Sequence, residues 1–531
     1  MLDLLEAFRI HAGGRPLWLA FGLTAVAWAA LRRQPTADAG RRVAVFVSGV
    51  GIAALLAYAA VAAWYASIPA YFDAAEPTMP IVGWLFTLGQ PLYHDAASAE
   101  RYSHIYGPLA FITHGLVLRL AGPSIEASKW LGAAAGLGGL AGAFAACSAV
   151  TSRQRALVLT GGCALAYLLF RNETFWTRPD ALLVLAAAAG LAAAARGGAI
   201  LGAIGVGVAA GVLANLKITG PLYALPIVVL LATRHGWRAA GGAAAIAVLI
   251  AGLPFLWPNV SLPGYLAWMR LSAHNGLMLS TLRQNIEWSG FLLLPVAIAR
   301  FGASPGPAPD RPSWLLLTAL AVAVAGVDVA ASKPGAGIYH LLPFVPIAGY
   351  AIAAALANRA PLAADPLAAP AAIAWVVTAV LVALSQQASF IRIVAADPAA
   401  ETRADLRAFL DAHPAAIVQM AYSGYDRPTF VRPELTFRSG LYLIDAPAVQ
   451  EHQLSGLPVP AATIDAIRAC RAELWLVPRG TEPFAGPNRY PAMDLAPLFP
   501  EAFRQAFRDA YAKDGATRFF DVWRCRVKVT R

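Results

Sequence analysis

Two carboxylates and a scattered set of cations are the residues in this chain that could do chemistry. Asp73 and Glu76 stand three positions apart in a polar, aromatic and proline-bearing stretch, Ser67 to Gly122, that interrupts long apolar runs. A carboxylate placed there can take the proton from an attacking hydroxyl. The same stretch holds His94, Asp95, Arg101, Tyr102 and the run Tyr106-Gly107-Pro108-Leu109. Basic residues then open or close later apolar runs: Lys129, Arg178 in Thr177-Arg178-Pro179-Asp180, Lys217, and Lys333 ahead of Tyr339-His340. Lys and Arg at such positions bind phosphate oxygens and stabilise a departing phosphate. No Cys, His, Asp or Glu spacing matches a metal site. No cofactor is assigned, and a divalent cation stays open.

Each of these residues also has a plainer reading. Asp73 or Glu76 alone could be a solvated loop carboxylate. Arg178 and Asp180 could pair with each other at a helix start, where Asp180 suits the helix dipole. Lys217 could snorkel to an interface, and His340 could be a packed, hydrogen-bonded histidine. Their gathering on one expected face argues for the functional reading.

That face is set by a membrane. The chain is 58% hydrophobic and 13% charged, with mean hydropathy +0.58, whereas soluble domains are about a quarter charged. Apolar runs fall at about 17–31, 43–66, 130–150, 156–170, 181–195, 198–215, 221–233, 240–257, 287–300, 314–331, 341–357 and 371–390. Twelve spans are therefore expected. No cleavable signal is visible, since Arg32-Arg33 follows the first run. The net charge of +11 does not indicate nucleic acid, because most Arg residues sit in short loops between apolar runs. Arg32, Arg33, Arg41, Arg42, Arg153, Arg155, Arg196, Arg234, Arg238, Arg300, Arg311 and Arg359 alternate onto one cytoplasmic face if 108–121 lies in the interface and does not cross. The loop 67–129, with Asp73 and Glu76, then faces outward. So do 171–180, 216–220, 258–286 and 332–340.

Beyond Phe390 the composition becomes that of a soluble domain. Helical patterns at 401–412, 462–472 and 501–513 alternate with strand-like runs at 416–422, 473–478 and 518–529, so a small α/β domain over 391–531 is expected, on the outer side. Cys147 and Cys163 lie in apolar runs. Cys470 and Cys525 lie in the C-terminal domain, where a disulfide and two separate buried thiols are both open.

As a set, these features resemble the GT-C superfamily of polyprenyl-phosphate-sugar-dependent membrane glycosyltransferases, such as protein O-mannosyltransferases and the lipid A aminoarabinose transferase. The resemblance covers roughly 43–360. It rests on the acidic pair Asp73 and Glu76, on Gly89-Gln90-Pro91-Leu92-Tyr93 leading to Tyr106-Gly107-Pro108-Leu109, on Lys129 where the family favours Arg, and on Thr177-Arg178-Pro179-Asp180. Lys217-Ile218-Thr219 and Tyr339-His340-Leu341-Leu342-Pro343 are similar to the family's later motifs. Many members carry an adjacent Asp-Glu, so the spacing here leaves open which carboxylate is the base. The resemblance implies a GT-C-like bundle over 1–390 with in-plane helices in the first external loop. It implies an inner-membrane enzyme with a polyprenyl-phosphate-linked sugar as donor, a cell-envelope lipid, glycan or protein as acceptor, and membrane lipids but no nucleic acid as partners. Asp73 or Glu76 would be the base, and Tyr106, Lys129, Arg178, Asp180, Lys217, Lys333 and His340 would bind donor or lipid phosphate. One displacement would invert the anomeric centre. A transporter or flippase of a lipid-linked substrate, and a non-catalytic scaffold, are the competing readings.

Overall fold

The protein is described from a computed structural model, covering residues 2–11, 14–31, 36–301, 311–357, 368–423, 427–486 and 496–526. Arg32, Arg33, Arg359 and Lys528, and the end of the 518–529 run, lie outside the described residues.

Every apolar run read from the sequence forms a helix. Along the chain come α1 (Leu2–His11), α2 (Pro16–Leu31), α3 (Thr36–Ser67), α4 (Thr78–Thr87), α5 (Pro108–Ala121), α6 (Ile125–Cys147), α7 (Arg153–Leu168), α8 (Asp180–Arg196), α9 (Ala199–Leu216), α10 (Gly220–His235) and α11 (Trp237–Gly252). They are followed by α12 (Leu262–Ser272), α13 (Leu279–Phe301), α14 (Arg311–Ala330), α15 (Val345–Leu356) and α16 (Ala368–Ala395). Among the described residues, six segments are long and apolar enough to cross a membrane: Ala44–Ser67, Ile125–Cys147, Ala199–Leu216, Trp237–Leu256, Ile338–Leu356 and the one beginning at Ala368. The other expected spans are shorter or more polar. α7 has 16 residues, and at 1.5 Å per residue it reaches about 24 Å, short of a ~30 Å hydrocarbon core. α13 carries Arg283 and Glu287 and has Pro295 inside it.

The chain divides into two compact units. The first comprises 1–64, 132–253 and 277–393. Its helices pack through small residues, as helices in lipid must without a hydrophobic drive between them. Gly207 and Gly211 on α9 meet α11, where an added Cβ would lie 2.6 Å from the Cβ of Ile246 and of Ile250. Asn215 then donates to the carbonyls of Ile250 and Ala251.

The second unit comprises 65–131, 254–276 and 394–531, so the C-terminal segment folds together with the first large loop. α4 and α5 cross closely: a Cβ on Gly115 would sit 2.9 Å from the Thr87 methyl, and one on Gly83 would sit 2.6 Å from the Phe111 carbonyl. The C-terminal segment adds α17 (Ala399–Ala412), α18 (Pro433–Ser439), α19 (Ala446–Leu454), α20 (Ala461–Arg468) and α21 (Glu501–Ala510). Its sheet has the order β1 (Val418–Met420), β2 (Leu474–Pro478), β4 (Phe520–Cys525), β3 (Tyr511–Ala516), with β1 and β2 parallel and the other pairs antiparallel. β2 is buried on both faces. Leu474 and Leu476 pack with Leu406, Val418 and Phe520, while Trp475 and Val477 pack with Phe484, Phe503 and Phe507. The expected helix over 501–513 stops at Ala510, because Tyr511 turns extended and pairs with Cys525. Cys470 and Cys525 form a disulfide with Cα atoms 5.9 Å apart. Cys147 and Cys163 are free and buried.

Candidate functional site

The loop after α3 folds around Glu76. That side chain is fully buried. The Tyr65 hydroxyl lies 2.8 and 3.0 Å from its two oxygens, and the Phe72 and Asp73 N–H groups donate to Oε1 at 3.0 and 3.1 Å. Burial, reinforced by the charge on Asp73, pushes the Glu76 carboxyl above the usual range, while Lys129 opposes the shift. Asp73 differs. It is only half-buried, and its Oδ1 accepts from the Ala75 N–H at 2.9 Å, a short turn that holds the side chain beside its own backbone. Lys129 is fully buried and donates to the carbonyls of Ile68 (2.7 Å) and Ala70 (2.6 Å), with its ammonium 3.7 Å from the Tyr65 ring centre. This contact fastens the loop to the start of α6.

A long-range tie holds the same loop. The buried Arg432 donates to the Ala74 carbonyl at 2.7 Å, to Asp445 at 3.1 Å and to the Tyr442 hydroxyl at 2.9 Å. Thr78 donates to Asp445 at 2.9 Å. Phe430 packs with Tyr71, Ala74 and Ile125. The C-terminal segment thus clasps residues 71–78, the stretch that bears both carboxylates.

The first unit holds a cationic group. Asp180 opens α8, fully buried, and accepts from the Trp176 indole at 3.0 Å and from Lys217 at 2.6 Å. Lys217 is 4% exposed, so it folds inward and does not snorkel. The Arg178 guanidinium lies 4.2 Å from the Trp176 ring centre and donates to the Tyr339 hydroxyl at 2.7 Å. Burial, with Arg178 and Lys333 acting against Asp180, pushes the Lys217 amine down to about 8. Lys333 is half-buried in the turn after α14. Lys217, Lys333 and Arg178 all act electrostatically on His340. His340 is 7% exposed, and its Nδ1 has no hydrogen-bond partner among the described residues. A buried group rich in cations, beside a buried ring nitrogen with no partner among the described residues, suits an anion with several oxygens.

Tyr106 lies just before α5, stacked on His104 at 4.9 Å, and its carbonyl accepts from the Tyr93 hydroxyl. Nearby in the chain a third buried group forms. His452 stacks on Trp268 at 4.2 Å and bonds the Ser103 carbonyl, and His94 bonds Ser103 and faces Arg101. Burial, with the Arg101 charge, pushes His452 down to about 3. Among the described residues, no three His, Cys, Asp or Glu gather as a metal site.

The sequence reading missed Tyr65, Trp176, Tyr442 and Arg432. Trp176 carried a local signal, four residues before Asp180. Arg432 carried none, being 358 residues from Ala74. No protein-family model, curated protein or solved structure matches the chain.

Proposed function

We propose that the protein is an integral-membrane glycosyltransferase of the GT-C type, moving a sugar from a polyprenyl-phosphate donor to a cell-envelope acceptor at the outer face of the inner membrane. Asp73 takes the proton of the acceptor hydroxyl, whose oxygen attacks the anomeric carbon. The bond from that carbon to the phosphate oxygen breaks, and its electron pair leaves on the polyprenyl phosphate. A Lys or Arg side chain stabilises that phosphate. Inversion follows from the single displacement. Glu76 positions Asp73 through the Asp73 N–H. Twelve spans and an external C-terminal segment belong to this reading, and the Cys470–Cys525 disulfide supports the external side, where disulfides persist.

The observation that carries the proposal is the buried cationic group in which Arg178 bonds the Tyr339 hydroxyl and Lys217 bonds Asp180, with Tyr339 against a His340 whose buried Nδ1 has no hydrogen-bond partner among the described residues. The test is transfer by the purified protein in liposomes loaded with a polyprenyl-phosphate sugar, with envelope glycans compared by mass spectrometry with and without the protein. Arg178→Ala should weaken binding of a polyprenyl-phosphate analogue far more than Arg234→Ala. Equal losses would remove the phosphate role.

One observation favours a transporter. Asp328 is buried in α14, accepts from Ser289 at 2.7 Å and sits beside Asn285 and Ser332, and carboxylates inside membrane helices often serve ion or proton coupling. Passage of lipid-linked sugar that stops in Asp328→Asn and survives in Asp73→Asn would establish that reading instead.

A further inference from the structure

The first unit contains a cavity of about 500 Å³ between α3, α7, α13, α15 and α16. Most of its wall is apolar, built from residues such as Val47, Leu159, Leu292 and Ile352. Those four remain partly exposed. Its polarity is uneven. Thr151, Gln154 and Arg155 line it from one five-residue stretch at the start of α7, and Arg155 is exposed. Arg153 lies in the same stretch.

We propose that this cavity is a binding site for one anionic glycerophospholipid. An acyl chain fills the apolar wall, where it removes hydrocarbon surface from contact with water. Its phosphate lies at Arg155, with Thr151 and Gln154 as further polar partners. Charge complementarity selects this occupant: the polar end carries Arg155, near Arg153, and basic residues beside a membrane attract anionic lipids by roughly 1 kcal/mol each. The location separates it from the donor lipid of the proposed reaction. Arg155 lies at the start of α7, whereas Arg178 follows the other end of that helix. The inference needs only the membrane character of the chain and stands whether or not the protein transfers sugar.

Gly162 makes the site testable. It lines the cavity, and a Cβ added there meets nothing within 4 Å. Gly241 on α11 is equally open but does not line the cavity, so it serves as the control. The experiment is native mass spectrometry of the full chain, stripped of lipid in detergent and titrated with phosphatidylglycerol, phosphatidylcholine or a polyprenyl phosphate. Wild type and Gly241→Phe should retain one phosphatidylglycerol in preference to phosphatidylcholine. Gly162→Phe should lose it. Arg155→Gln should lower the preference about fivefold, the loss of one basic contact. Should Gly162→Phe fail to fold, Arg155→Gln decides alone. Unchanged preference in Arg155→Gln, equal binding of all three lipids, or displacement of phosphatidylglycerol by polyprenyl phosphate would each overturn the proposal.

Discussion

The acidic loop of the second unit and the cationic group of the first are built on the same plan with opposite charge. Each has one fully buried carboxylate whose oxygens are taken up by the protein: Glu76 by Tyr65 and two backbone N–H groups, and Asp180 by Trp176 and Lys217. Each also has a less buried charged neighbour, Asp73 in one and Lys333 in the other. Under the proposed function Glu76 is scaffold, and the half-buried Asp73 is what an acceptor can reach. A family pattern that marks both members of an acidic pair does not separate these roles. Burial and hydrogen-bond partners favour this division under the proposed function.

The sharpest way to break this comparison is to exchange the two members of the acidic pair. Under the proposed function, Asp73→Asn should lower the transfer rate by about 10²- to 10⁴-fold, the range for a lost general base, with the thermal midpoint of the purified protein unchanged. Glu76→Gln should lower the midpoint as well, because it disturbs the loop's own hydrogen bonds. Loss of activity in Glu76→Gln with full activity in Asp73→Asn would reverse the roles.

Next in size is the scaffold carboxylate of the cationic group. Asp180→Ala leaves Lys217 buried without its 2.6 Å partner, and breaking one side of a buried pair costs about 3–5 kcal/mol. A thermal melt in detergent should show the loss, and Lys217→Met in the same background should recover much of it. A melt like that of wild type would mean that Asp180 is not scaffold.

The disulfide belongs to the second unit, and its removal should separate the stability of that unit from that of the helical one. Cys470 and Cys525 enclose a loop with a sequence separation of 55. The chain-entropy relation gives about 4 kcal/mol for a loop of that size, less any strain. Protease susceptibility of the C-terminal segment should therefore rise on reduction. Susceptibility that does not change would show that the packed core around Trp475 suffices.

How much of this was legible depended on the distance between partners. The apolar runs marked the helices because hydropathy is a local property, and the α/β character of the C-terminal segment followed from alternating patterns. The sequence reading takes Tyr511–Lys513 as the end of a helix because the strand state there depends on pairing with β4. Glu76 and Asp180 stood out by type and place, yet their buried state could not be read from spacing. The clasp from Arg432 to Ala74 joins segments far apart in sequence, and no periodicity marks it. The pairing of Cys470 with Cys525 needed the turn after α20 and the register of β4 together.

The smallest effect tests whether buried neutrality, like buried charge, is part of the scaffold. His452 and His94 are held neutral by burial next to Arg101, the charged group that acts on both. His452 titrates at about 3 in the folded protein against an ordinary value of 6.5. The unfolded chain therefore binds a proton at pH 5 that the folded chain refuses, and stability rises with pH across that window. From pH 7 to pH 5 the linkage from His452 amounts to about 2 kcal/mol. His94, also held well below its ordinary value, acts in the same direction. Against the opposite contribution of the raised Glu76 carboxyl, common to these variants, the two histidines should speed limited proteolysis of the second unit as the pH falls from 7 to 5. His452→Phe should flatten that dependence, since a phenyl ring can keep the stack on Trp268 without a titrating nitrogen. Asp73→Asn should leave it untouched. An acid sensitivity that survives in His452→Phe combined with His94→Phe would place its source elsewhere.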